Sequence, residues 1–211
     1  MNLYFTADLH FGDAAMLASH PERPFSAESD IARHDEWLLD LWQRTVGPDD
    51  EIYILGDLAA DSFDKTASLL ASLPGIKHLV TGNHDYGLRP FSSAFSSMER
   101  LQTCFVRPEQ AASLSHPVLL SRPVCLQLCH YPLLTWEGQY RGSLMLHGHS
   151  HGRLDRYNED SGKRRVDVGL DGWLSRMVAA HRPGGFSHAF IPFDVVYEYL
   201  CVRQIPAANV C

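Results

Sequence analysis

Asn2-Leu3-Tyr4-Phe5-Thr6-Ala7-Asp8-Leu9-His10 opens the chain, and its reading sets the architecture. Alternation and strand-forming residues from Asn2 to Ala7 predict a buried strand that runs straight into Asp8. The same arrangement returns twice. Glu51 to Leu55 predicts a second strand leading into Gly56-Asp57, and Ile76 to Val80 a third leading into Thr81-Gly82-Asn83-His84-Asp85. Between them, Ile31 to Val46 sets Ile31, Trp37, Leu38, Leu41 and Trp42 on one helical stripe, stopped by Gly47-Pro48. Asp61-Ser62 starts a second helix through Leu73, stopped by Pro74-Gly75. Strand and helix in alternation mark parallel α/β units, whose ligands gather beyond the carboxyl ends of the strands.

The later half is richer in strands: Val124 to Cys129, Ser143 to His147, Arg165 to Val168, His188 to Phe193 and Val195 to Val202. Arg89 to Arg100 reads as a short helix. His130 and the cluster Gly148-His149-Ser150-His151 again follow apolar runs. The length of 211 residues allows one domain or two, but the polar clusters run from residue 8 to residue 151 with no linker, so residues 1–211 are expected to form one domain. No apolar run reaches the length of a membrane span. The N-terminus lacks the basic start and long apolar stretch of a signal peptide, whose removal would also take Asp8 and His10. The five cysteines are odd in number and irregularly spaced, which suits reduced thiols; together these features predict a cytoplasmic protein. A net charge of −7 argues against gripping long nucleic acids. The basic run Lys163-Arg164-Arg165 reads as a solvated turn.

Seven hard or borderline ligands stand out: Asp8, His10, Asp57, Asn83, His130, His149 and His151. Asp8 and His10 are two apart at a strand end, which points both side chains to one face. Gly56 lets the backbone approach a bound ion, and the carboxylate of Asp57 has two oxygens with which to bridge two metals. Asn83 supplies a neutral oxygen. The spacing of His149 and His151 suits a turn whose imidazoles reach two different ions. Any one of these clusters alone is weak; in this order they specify a site for two adjacent divalent cations, an arrangement suited to hydrolysing phosphate esters.

With those motifs, and with Val168-Gly169-Leu170-Asp171 after them, the chain resembles the calcineurin-like metallophosphoesterases over roughly residues 1 to 172. It is most similar to their small bacterial and phage members. The resemblance implies a four-layer α/β/β/α sandwich with a dinuclear site at the carboxyl ends of the strands. It assigns Asp8, His10 and His151 to one metal, Asn83, His130 and His149 to the other, and Asp57 to both. It makes His84 the catalytic general acid or charge stabiliser. The ligand set suits Mn²⁺, Fe²⁺, Zn²⁺, Co²⁺ or Ni²⁺, and the resemblance favours Mn²⁺. The expected reaction is hydrolysis of a phosphodiester or phosphomonoester, on a substrate expected to be small, by a hydroxide formed between the two cations. Two alternatives stand beside it: a nuclease of the same superfamily, and a non-catalytic metal-binding scaffold.

One departure narrows the class. Protein Ser/Thr phosphatases carry Asp three residues after the bridging Asp, followed by Arg; here Ala60 stands there, then Asp61, with no Arg. What orients His84 is left open. His147 reads either as a brace for a ligand or as a buried histidine, Cys129 as strand packing, and Asp85 and Asp171 as braces for neighbouring turns. Histidines 20, 34, 78, 116, 181 and 188 read as surface or packing residues. Gly12 to Asp30 and Tyr86 to Pro123 are expected to frame the cleft, with Arg89 a candidate phosphate contact.

Overall fold

Leu3 and Phe5 bury their side chains in the strand β1, Leu3–Thr6, at the centre of the molecule. The computed structural model describes every residue except 22, 26, 60–61, 173–188 and 204–211. After β1 come α1 (Ala14–Ala18), α2 (Ile31–Thr45), β2 (Glu51–Ile54), α3 (Phe63–Ser72) and β3 (Ile76–Val80). A 3-10 segment, Asp85–Ala94, leads to β4 (Ser97–Glu99), β5 (Leu101–Val106) and α4 (Pro108–Ser113). The second half contributes β6 (Val124–Cys129), β7 (Leu144–His147), α5 (Asp155–Asp160), β8 (Arg165–Asp167), β9 (Ile191–Pro192) and α6 (Phe193–Tyr197).

The strands make two sheets, ordered β4-β3-β2-β1-β9 and β5-β6-β7-β8. In the first, β1 to β4 are parallel and β9 is antiparallel to β1; in the second, β6, β7 and β8 are parallel and β5 is antiparallel. Leu3, Phe5, Tyr53, Leu55 and Val80 of the first sheet pack against Leu126, Leu128, Leu144, Leu146 and Val166 of the second. The other face of the first sheet, through Ile52, Ile54 and Leu79, buries Leu38, Leu41 and Trp42 of α2 and Leu70 of α3. Trp42 keeps its indole N–H satisfied by donating to the Pro74 carbonyl at 3.0 Å. The outer face of the second sheet carries a thinner cover, the loop of Leu133 and Trp136 on Met145 and Cys129, with α5 beside it. The packing of Cys129 is therefore the one expected. No helix among the described residues is long and apolar enough to cross a membrane.

Several expectations are corrected. The stretch Val195 to Val202 is not a strand: α6 runs into a π-helical turn, Glu198–Arg203. Its β-branched residues favour a strand, but Phe193, Val196 and Leu200 are buried at helical spacing, and packing decides. Of the strand His188 to Phe193, β9 retains Ile191–Pro192, while His188 lies outside the described residues. Pro192 sits on an edge strand, where its missing N–H is tolerated. The helix Arg89 to Arg100 is replaced by the 3-10 segment, which contains Pro90, and by β4. Arg165 is no solvated turn residue: it is buried in β8, donating to Asn158 Oδ1 at 2.6 Å and to the Leu133 carbonyl at 2.8 Å.

Candidate metal centre

The carboxyl ends of the strands are drawn together by backbone bonds across the sheets. The Asp8 N–H donates to the Gly56 carbonyl at 3.0 Å, Gly148 N–H to the His130 carbonyl at 3.0 Å, and Ala7 bridges to Gly169. Just beyond these ends the chain turns sharply. Asp8, His10, Asp57, His149 and His151 all adopt left-handed φ angles of 58°, 55°, 55°, 66° and 46°. Side-chain-bearing residues rarely occupy this region. Asp8 and His10 are thus brought together by a strained turn after β1 rather than by the strand pleat. Two glycines make room: a Cβ at Gly82 would sit 2.2 Å from Asp57 Oδ1, and one at Gly56 (φ +91°) 2.3 Å from His130 Nδ1.

Asp57 lies at the middle of the group. Its Oδ2 is 3.7 Å from His10 Nε2 on one side and 3.4 Å from His130 Nε2 on the other, while Oδ1 accepts the His84 backbone N–H at 2.8 Å. Ligand atoms of Asp8, His10 and His151 fall within 4.8 Å of one another, as do those of Asp57, His130 and His149. Asn83 joins the second group through Oδ1, 3.0 Å from His130 Nε2. All seven sequence-predicted ligands therefore meet in one place.

The donor set there suits a cation. His130 Nδ1 lies 2.8 Å from the Leu55 carbonyl, a partner that can only accept, so Nδ1 carries the proton. In the neutral ring Nε2 then carries a lone pair toward Asn83 Oδ1 at 3.0 Å and Asp57 Oδ2 at 3.4 Å, and in the doubly protonated ring a proton. Acceptor groups converging on one point call for a positive charge between them, which a proton on Nε2 or a bound cation supplies. His10 makes the same point: it is buried, and neither ring nitrogen has a hydrogen-bond partner among the described residues. The residues present fit a pair of divalent cations held by oxygen and imidazole nitrogen.

Burial and neighbouring charge shape the ionisation. Asp8 is pushed up to about 7, first by burial and then by Asp167, against the pull of His151 and His130. Burial also opposes ionisation of Asp57, but the hydrogen bond and charge of His130, the His84 N–H and His10 outweigh it and bring Asp57 down to about 2. Burial lowers His10 to about 3. His130 and His151 are raised despite burial, by Asp57 with Asp8 and by Asp171 with Asp8 respectively.

Around the ligands sits a bracing layer. Asp85 accepts the N–H groups of Asp57, Leu58 and Gly82 at 2.8, 2.9 and 2.7 Å, as expected for a turn brace. Asp171 works differently, holding side chains: His151 Nδ1 at 2.7 Å and Arg23 through Nε and Nη2 at 2.8 and 2.5 Å. His147 is buried, donating to the Gly148 carbonyl at 2.8 Å and meeting Asn158 Nδ2 at 3.0 Å, so it steadies the backbone that precedes His149. His84 is 41% exposed, and its Nδ1 lies 3.3 Å from Asp13 Oδ2. Asp61 falls outside the described residues.

Three contributors escape sequence reasoning. Arg23, buried, also donates to the carbonyls of Asp8 and Leu9 at 2.7 and 3.3 Å. His20, read as a surface or packing residue, stacks on His151 at 4.3 Å and reaches Asp171 at 3.8 Å. Asp13 approaches both His10 and His84, and its adjacency to Asp8-Leu9-His10 was the one available signal. Of the other histidines, His34 is buried, His78 stacks on Tyr53 at 4.4 Å and His116 is exposed; His181 lies outside the described residues.

The chain is similar to several known proteins. The Gene 66 protein of Mycobacterium phage D29 is 28% identical over 210 residues, covering 93% of this chain and 94% of its own. Its counterpart in Mycobacterium phage L5 is 28% identical over 190 residues, covering 82% and 87%. Among solved structures, a protein of unknown function from Aquifex aeolicus, AQ665, shares the fold with a TM-score of 0.56 at 22% identity, over 81% of this chain and 90% of its own. The family model of the calcineurin-like phosphoesterases matches residues 1–206, and the chain belongs to that family.

Proposed function

We propose that residues 1–211 form a single domain that hydrolyses small phosphate esters, monoesters or diesters, with two divalent cations. The arrangement is read as an α/β/β/α sandwich with the dinuclear site at the carboxyl ends of its strands. The observation that carries the reading is the convergence of His130 Nε2, Asn83 Oδ1 and Asp57 Oδ2. Asp8, His10 and His151 would hold one ion, Asn83, His130 and His149 the other, and Asp57 both. When bound, such a pair activates water and neutralises phosphoryl charge.

The chain's own groups do the rest. Asp171 takes the Nδ1 proton of His151, which leaves Nε2 with the lone pair a metal needs. Arg23 fixes Asp171 in turn. Asp13 Oδ2 faces His84 Nδ1 and orients the ring, and as the doubly protonated imidazolium His84 gives its Nε2 proton to the departing alkoxide. Manganese, favoured by the resemblance, is the first metal to test. The free thiols of Cys104, Cys125, Cys129 and Cys201 support a cytoplasmic location.

The test is hydrolysis of bis-p-nitrophenyl phosphate and p-nitrophenyl phosphate with Mn²⁺, alongside metal analysis. Two ions per chain and turnover of at least one ester are expected. A fully loaded protein inert to both esters overturns the reading.

A further inference from the structure

We propose that the pocket beside the Asn83–His130 half-site binds a second phosphoryl group, so that the substrate is a nucleoside diphosphate-type ester. The proposal rests on the phosphoesterase reading and names its substrate class. The pocket encloses about 300 Å³ and is lined by Gly82, Tyr86, Arg89, Arg100, Cys129 and Tyr131 among others. It borders the candidate centre through chain neighbours of two candidate ligands, since Gly82 precedes Asn83 and Cys129 and Tyr131 flank His130. The Tyr131 ring contacts the rings of His130 and His149 at 5.0 and 4.6 Å. A group in this pocket therefore lies next to whatever occupies the ligand cluster.

Its charge identifies the group. Arg89 comes from the 3-10 segment and Arg100 from the turn between β4 and β5, two separate elements that bring guanidinium groups to one pocket. Neither side chain makes a hydrogen bond or ion pair with any described residue. The acidic residue in the lining, Asp85, already accepts three backbone N–H groups and is buried. Two exposed arginines facing one pocket in a chain of net charge −7 favour an anion there, and guanidinium forks match phosphoryl oxygens two at a time. Tyr86 and Tyr131, 69% and 45% exposed, add aromatic faces for a base. The volume is at the small end of ligand pockets, which suits one phosphoryl group with its linking atoms rather than a polymer strand.

The experiment is calorimetric titration of the Mn²⁺-loaded protein with two slowly hydrolysed analogues, α,β-methylene-ADP and adenosine 5′-methylphosphonate. The wild type is expected to prefer the diphosphonate. In Arg89→Gln/Arg100→Gln that preference should fall about tenfold or more, the loss expected when charge-assisted hydrogen bonds disappear. The single variants R89Q and R100Q should each lose part of it, and circular dichroism checks the fold. A double variant that keeps the wild-type ratio overturns the proposal. An oligothymidylate that binds the wild type more tightly than the diphosphonate does so too, in favour of a nucleic-acid groove. Turnover of bis-p-nitrophenyl phosphate is measured in parallel: its absence would count against the phosphoesterase reading, while the binding ratio still decides the pocket.

Discussion

The proposed chemistry rests on His84 and Asp13, two side chains that hold no position in the sheets. His84→Asn is expected to lower kcat by about 10²–10⁴-fold, the usual contribution of a proton donor, with metal content unchanged by elemental analysis. Asp13 has two tasks, since its Oδ1 caps α1 by accepting the Met16 N–H at 3.0 Å while Oδ2 faces His84. Asp13→Asn keeps the cap, because Asn serves as well there, but removes the negative charge beside His84. We expect kcat to fall about tenfold with KM little changed; a rise in KM at constant kcat would assign Asp13 to substrate binding instead. The seven candidate ligands could be picked out together because each cluster follows an apolar strand. Arg23 and His20 were not, because they lie in an irregular stretch without periodicity, and Arg23 meets Asp171 across 148 residues of sequence.

At the scale of elements, the first three strands were legible because sheets covered on both faces produce near-continuous apolar runs. The edge strand β5 escaped, since Leu101 and Phe105 are exposed and disguise the alternation. The same contrast explains α6, whose β-branched residues mimic a strand while its buried positions follow a helix. Gly56 carries the clearest element-level prediction, joining β2 to Asp57 at a φ of +91°. Gly56→Ala forces a Cβ against His130 and a strained backbone, and is expected to cost at least about 1–3 kcal/mol. Thermal denaturation of the metal-free protein measures it, and an unchanged midpoint would contradict the packing described.

For the whole molecule, the proposed site links acidity to metal binding through Asp8. Its folded pKa is raised from 3.8 to about 7, so the folded state holds the proton more tightly than the unfolded chain. The metal-free protein should therefore lose stability as pH rises from about 4 to 7. A cation takes the proton's place, so Mn²⁺ should restore stability and release a proton near pH 6. Urea midpoints across pH, and titrations in buffers of different ionisation enthalpy, test both; Asp8→Asn should flatten the dependence. Asp171 has the opposite sign: burial opposes its ionisation, but Arg23 and His151 hold its pKa below 3.8. Its contribution is present above that value and lost as pH falls through the folded pKa, so Asp171→Asn should soften acid unfolding.

The left-handed backbone at Asp8, His10, Asp57, His149 and His151 has a practical corollary. Glycine tolerates that conformation better than histidine does. Without metal, His149→Gly should therefore melt higher than His149→Ala. Libraries sorted for soluble expression would then drift toward well-behaved but inert proteins. Any directed-evolution campaign on this scaffold needs turnover, rather than yield, as its selection.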